Sequence, residues 1–110
     1  MKKMLVCVVL SLSLFLTSCG APKDVPPQTF ELSVTSPAAP TQKVEVALGA
    51  ELTLRITTPV DDAVHVHGYE IEKDLPAGQP TDIVFVANMA GSYEVESHIT
   101  DAVWLTLVVS

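Results

Sequence analysis

Apolar and polar residues alternate one for one along Phe30-Glu31-Leu32-Ser33-Val34-Thr35, the period at which a β-strand turns successive side chains to opposite faces. The alternation returns with Val44, Val46 and Leu48 set against Lys43, Glu45 and Ala47, and again with Leu52, Leu54 and Ile56 set against Glu51, Thr53, Arg55 and Thr57. Pro37, Pro40, Gly49 and Pro59 fall between these runs, where residues that lack an amide proton or favour turns belong. A further run begins at Val64-His65-Val66-His67-Gly68-Tyr69 and is expected to continue through Glu70-Ile71-Glu72 to the turn at Pro76-Ala77-Gly78. Ile83-Val84-Phe85-Val86, the Tyr93/Val95 segment and Trp104-Leu105-Thr106-Leu107-Val108-Val109 complete the series. No stretch beyond the N-terminal segment carries a helical period. The pattern therefore predicts an all-β domain, an antiparallel sandwich or small barrel of about seven strands.

The N-terminal segment breaks the alternation. Residues 4–16 form an almost uninterrupted apolar run behind the positive Met1-Lys2-Lys3, a length suited to an export signal and short for a membrane span. The run ends in Leu16-Thr17-Ser18-Cys19-Gly20, which resembles the lipobox of bacterial lipoproteins, where the cysteine is acylated and becomes the first mature residue. The resemblance implies a signal peptide over residues 1–18, lipid on Cys19, and an exported protein anchored to a membrane on the periplasmic side or at the cell surface. Residues 19–29, with Pro22, Pro26 and Pro27, then read as a flexible, semi-extended tether. Residues 30–110 read as one domain of roughly 80 residues, near the size at which a single core only just suffices. Of the 2 cysteines, Cys7 would leave with the signal and Cys19 would carry lipid, so no disulfide is available.

Charge narrows the partners. The chain has 6 lysines and arginines against 13 acidic residues, a formal net charge of −7, and removal of Lys2 and Lys3 with the signal makes the remainder more acidic still. Such a balance argues against nucleic acid and is compatible with cations.

All 3 histidines lie in the segments Val64-His65-Val66-His67-Gly68-Tyr69 and Gly91-Ser92-Tyr93-Glu94-Val95-Glu96-Ser97-His98. On an extended strand His65 and His67 point the same way with Cα atoms roughly 6.7 Å apart, so two imidazoles can lean onto one ion at roughly 2.0–2.1 Å each. His98 is the candidate third ligand. Glu96 shares its strand face and is a candidate carboxylate ligand or partner of a ligand. Neutral imidazoles suit copper, zinc or nickel, and divalent copper generally binds such sites tightest. The bland alternative is that these are polar residues of an exposed strand, as most isolated histidines are. Gly68 is expected to mark a bulge that resets the phase and leaves Tyr69 and Ile71 facing the core. Asp61-Asp62 reads as a solvated turn. Ser97 and His98 are sequence neighbours that face opposite ways on a strand, a poor nucleophile and base pair, and the chain is not expected to be an enzyme.

The histidine segment, then Leu75-Pro76-Ala77-Gly78-Gln79-Pro80, then Ile83-Val84-Phe85-Val86-Ala87-Asn88-Met89-Ala90-Gly91-Ser92-Tyr93-Glu94-Val95, resembles the C-terminal half of cupredoxins, the copper-binding Greek-key sandwich proteins. The resemblance covers residues 64–109 and reaches the earlier strands by strand count. It implies a cupredoxin-like Greek-key antiparallel β-sandwich with copper as cofactor. In that family a histidine on the first of these strands ligates copper, which falls here on His65 or His67, and a cysteine, a histidine and usually a methionine follow the Gly-x-Tyr strand. Counted from Gly91-Ser92-Tyr93, Ser97 stands at the position of the cysteine, His98 follows at once, and no methionine comes after it. Met89 precedes the strand and reads as loop packing. Without a thiolate the blue-copper His₂Cys arrangement cannot form. The register implies that Ser97→Cys would bring a thiolate near His65 or His67. Two functions follow as expectations. One is non-blue binding of copper or another divalent metal by an anchored protein that handles metal outside the cytoplasm, with a copper-handling or envelope protein as partner. The alternative is a metal-free protein-interaction module.

Overall fold

The computed structural model describes residues 24–35 and 39–110. The expected signal peptide, the acylated Cys19 and the tether as far as residue 23 lie outside the described residues. The strands are β1 (Gln28–Ser33), β2 (Gln42–Val46), β3 (Glu51–Thr57), β4 (Asp62–Val66), β5 (Ile71–Leu75), β6 (Thr81–Val86), β7 (Gly91–Ser97) and β8 (Val103–Val109). No helix occurs among the described residues.

The strands form a three-stranded sheet in the order β1-β3-β6 and a five-stranded sheet in the order β2-β8-β7-β4-β5. Inward residues of both enter one core. In the smaller sheet Leu32 lies against Ile56 and Leu54 against Ile83, and all four are buried. In the larger sheet Val66 lies opposite Val95 and Val95 opposite Leu105, all inaccessible to solvent. Each such side chain contributes roughly 1.5–3 kcal/mol on burial. The alternation in the sequence records this division between core and solvent faces.

The all-β sandwich is as expected, but its sheets are mixed. β1 pairs with β3 and β2 with β8 in parallel, while the other ladders are antiparallel. The cause is parity. Each connection reverses the chain, so strands separated by an even number of connections run the same way. Sheet membership, which alternation does not encode, decides which of them become neighbours.

The histidine run is not one strand. Residues 67–70 form a turn in which Gly68 has φ +83° and Glu70 φ +52°. Left-handed dihedrals at both positions fold the chain back, so β4 and β5 form a hairpin and the strand count rises to eight. Gly68 is required twice over, because a Cβ there would also overlap the ring of Tyr93. The bulge expected at Gly68 is therefore this turn. A register irregularity lies instead at Val95/Glu96 where β7 meets β8.

The domain also begins earlier than residue 30. Val25 packs against the core, and the Gln28 side chain accepts from Ala47 N at 2.8 Å and donates to Glu45 O at 3.3 Å. Asp61 and Asp62 are anchors rather than merely solvated. Asp61 Oδ1 accepts from Ala77 N at 2.9 Å, and Asp62 Oδ1 accepts from Ala63 N at 2.8 Å and from Ser97 Oγ at 2.6 Å.

Candidate metal centre

The site follows from the ladders on both sides of β4. Across the β4/β7 ladder His65 lies opposite Glu96. Backbone bonds extend this ladder at both ends, from His67 N to Glu94 O at 2.9 Å and from His98 N to Ala63 O at 2.8 Å. Across the β4/β5 ladder His65 lies opposite Glu72 and Ala63 opposite Asp74. Paired residues share a face of the sheet, as do residues two apart on one strand. His65 is therefore the centre of a patch on the outer face, flanked by Glu72 and Glu96, with His67 and His98 at opposite ends of the patch.

The rings of His65 and His67 lie 4.3 Å apart between centroids, tilted by 52°, and those of His65 and His98 lie 6.1 Å apart at 78°. Glu96 Oε1 is hydrogen-bonded to His67 Nε2 and lies 3.7 Å from His65 Nδ1. The other nitrogen, His65 Nε2, is 3.5 Å from Glu70 Oε2. His98 Nδ1 lies 3.6 Å from Glu72 Oε1. Two triads result, His65/His67/Glu96 and His65/Glu72/His98, each offering ligand atoms within 4.8 Å of one another. His65 belongs to both.

The electrostatics favour positive charge. The His67 pKa is raised above its usual 6.5, chiefly by the hydrogen bond to Glu96 and further by the charges of Glu96, Glu94 and Glu70, with partial burial opposing. The cluster carries carboxylates within reach of every ring and no cysteine. Its donor chemistry is imidazole nitrogen and carboxylate oxygen, which suits divalent copper or zinc and cannot supply the thiolate of a blue site.

The histidines expected on one strand face, His65 and His67, do meet, with His67 in the turn that follows β4, and Glu96 completes their triad. His98 approaches His65 but belongs with Glu72, which the sequence reading missed. The missing signal was the turn. With Gly68 read as a bulge, Glu72 continues the histidine strand; read as the reversal of a hairpin, it returns Glu72 to a place beside His65.

Ser97 lies elsewhere. It is fully buried opposite Val64, on the face away from the histidines. Its Oγ donates to Asp62 and accepts from Ile99 N at 3.2 Å and Thr100 N at 3.0 Å, closing the turn after β7. A thiolate at this position would face the core, contrary to the expectation that Ser97→Cys would bring one near His65 or His67. Met89 is held by its backbone, whose O and N bond Tyr69 Oη at 3.1 and 3.2 Å.

No protein-family model matches the chain, and no curated protein matches it in sequence. Solved structures do match. A copper binding protein in its apo form, determined by NMR in solution, aligns with a TM-score of 0.64 over 82% of this chain and 93% of its own, at 12% identity. Auracyanin A, a blue copper protein from the green thermophilic photosynthetic bacterium Chloroflexus aurantiacus, aligns with a TM-score of 0.59 over 76% of this chain and 99% of its own, at 17% identity. A chain of a heme-copper terminal oxidase dimer aligns with a TM-score of 0.54 over 64% of this chain, at 18% identity, and the match spans 52% of that chain. At such identities the likeness is one of fold, and by its fold this chain is a cupredoxin-like domain.

Proposed function

We propose that the chain binds a divalent transition-metal ion, copper by preference, through His65, His67 and Glu96 on the outer face of the five-stranded sheet, and handles that metal outside the cytoplasm. The observation that carries the reading is the convergence of these side chains, with ligand atoms within 4.8 Å of one another. Copper heads the series of divalent ions for nitrogen and oxygen donors, and the matched structures include a copper binding protein. The bound ion would be non-blue and is cargo rather than an electron carrier. His65 and His67 supply neutral nitrogens, Glu96 offsets part of the ion's charge, and the surrounding carboxylates raise the local concentration of cations. The sequence Leu16-Thr17-Ser18-Cys19 supports export and lipid anchoring, with a copper-handling or envelope protein as partner. No catalytic role is assigned.

The test is titration with divalent copper followed by EPR. A nitrogen-ligated, non-blue signal is expected, weakened in His67→Ala and Glu96→Gln and lost in His65→Ala. A metal-free interaction module is the second reading, because His65, His67 and His98 each already lie beside a carboxylate. Failure of the wild-type chain to bind copper would favour it. Mass spectrometry of the mature N-terminus tests the anchor separately: a chain beginning at acylated Cys19 is expected, and any other start removes the lipoprotein reading.

A further inference from the structure

The triads share one ligand and differ in exposure. In His65/His67/Glu96 the side chains of His65 and Glu96 are 15% and 16% exposed and His67 is 44% exposed. In His65/Glu72/His98 the other two, Glu72 and His98, are 56% and 57% exposed. Glu72 stands on β5, the edge strand of the five-stranded sheet, and His98 stands just past the end of β7. A neutral imidazole has a single lone pair, so two ions could share His65 only if its ring lost its remaining proton. Simultaneous occupancy is thus disfavoured, while passage between the triads is short.

We propose that the triads are successive positions of one ion: Glu72 and His98 receive it at the exposed edge, and His67 and Glu96 then replace them while His65 stays bound. The inference rests on the metal-binding reading above and adds a kinetic role for Glu72 and His98. The transfer is a ligand exchange in which two donors leave and two enter, with no change of oxidation state. The direction follows from solvation. Ligands held partly out of water interact more strongly with a cation than exposed ones, so the His67/Glu96 position retains the ion and the Glu72/His98 position exchanges it. The geometry supports short steps, since His65 faces Glu72 on one neighbouring strand and Glu96 on the other.

A way-station that opens a stepwise route lowers the barrier in both directions and leaves the end-point affinity alone. The experiment uses the full chain with divalent copper, measuring the rate of loading, the rate of release to a chromophoric chelator, and Kd by competition. His98→Ala and Glu72→Gln, both at exposed side chains, are expected to slow loading and release together by about tenfold while Kd stays within about twofold, at one copper per chain. Unchanged rates in both variants would overturn the transfer role and leave metal binding by His65, His67 and Glu96 standing. Two coppers per chain with a spin-coupled signal would overturn it in favour of a bridged pair. A rise in Kd upon His98→Ala equal to that upon His67→Ala would overturn it in favour of a single site using all three rings. No binding by the wild-type chain would remove both this inference and the reading beneath it.

Discussion

The outer faces of the two sheets solve the same problem differently. On the three-stranded sheet Arg55 stands beside Glu31 on one neighbouring strand and Asp82 on the other. Its guanidinium grips Asp82 through Nε at 2.8 Å and Nη2 at 3.2 Å and reaches Glu31 at 3.3 Å. The hydrogen bonds from Arg55 hold the Asp82 carboxyl below its usual range. On the five-stranded sheet the central residue in the equivalent arrangement is His65, between Glu72 and Glu96. A permanent cation closes its carboxylates into a fixed pair, whereas a base that gives up its proton leaves them able to accept another cation. The difference between a structural patch and the proposed metal-binding one thus rests on which nitrogen base occupies the middle strand.

The sharpest way to break this comparison is to make the second face resemble the first. His67→Arg removes a neutral donor and supplies Glu96 with a permanent partner, and copper affinity should fall about a hundredfold or more while the fold persists. Competition titration measures this, and unchanged affinity would place the ion elsewhere. Ser97 probes the opposite face of the same strands. Ser97→Ala should cost about 1–3 kcal/mol in denaturant unfolding, because Asp62 and the amides of Ile99 and Thr100 lose a buried partner, with copper affinity unchanged. A folded Ser97→Cys domain should bind copper without a thiolate charge-transfer band, and such a band would show that the core side of β7 reaches the ion.

pH sharpens the comparison more gently. The His67 pKa is raised in the folded chain, so its protonated form contributes stability that is fully present below about 6.5, the unfolded value, and is lost as pH rises through the folded value. Copper competes with that same proton, so affinity should fall as pH drops through the folded value. An NMR titration of the His67 ring with a midpoint at or below the ordinary value would contradict the hydrogen bond to Glu96. The smallest effect belongs to Arg55→Ala. Its exposed pairs are screened by salt, so thermal unfolding should shift slightly at low ionic strength, scarcely at high, and copper binding not at all.

Much of the fold was legible because burial imposes a period of two. Leu52, Leu54 and Ile56 announce their core face, and His65, between the buried Val64 and Val66, takes the opposite one for the same reason. What the period cannot carry is strand order and reversal. The parallel placement of β2 against β8 depends on residues far apart in sequence, and the reversal at residues 67–70 depends on left-handed dihedrals at Gly68 and Glu70, of which only the glycine leaves a mark. Glu72 was hidden by that reversal. Ser97 lies two residues past Val95, a spacing that puts it on the core face, yet the register through the cysteine position had placed it beside the histidines, and its bond to Asp62, between residues 35 apart, has no local signature.

The strand order has a consequence in time. β8, the last strand in sequence, lies between β2 and β7 in the five-stranded sheet, and β7 carries Glu96 and adjoins the histidine hairpin. During synthesis the hairpin emerges well before the strand that supports its neighbour. An incomplete chain thus presents histidines and carboxylates on an unsupported edge, and ordered ligand placement waits for residues 103–109. Pairings this distant in sequence also form slowly. The ion of the proposed function should therefore be acquired after folding, by a finished sheet, rather than serve as the nucleus around which the sheet forms.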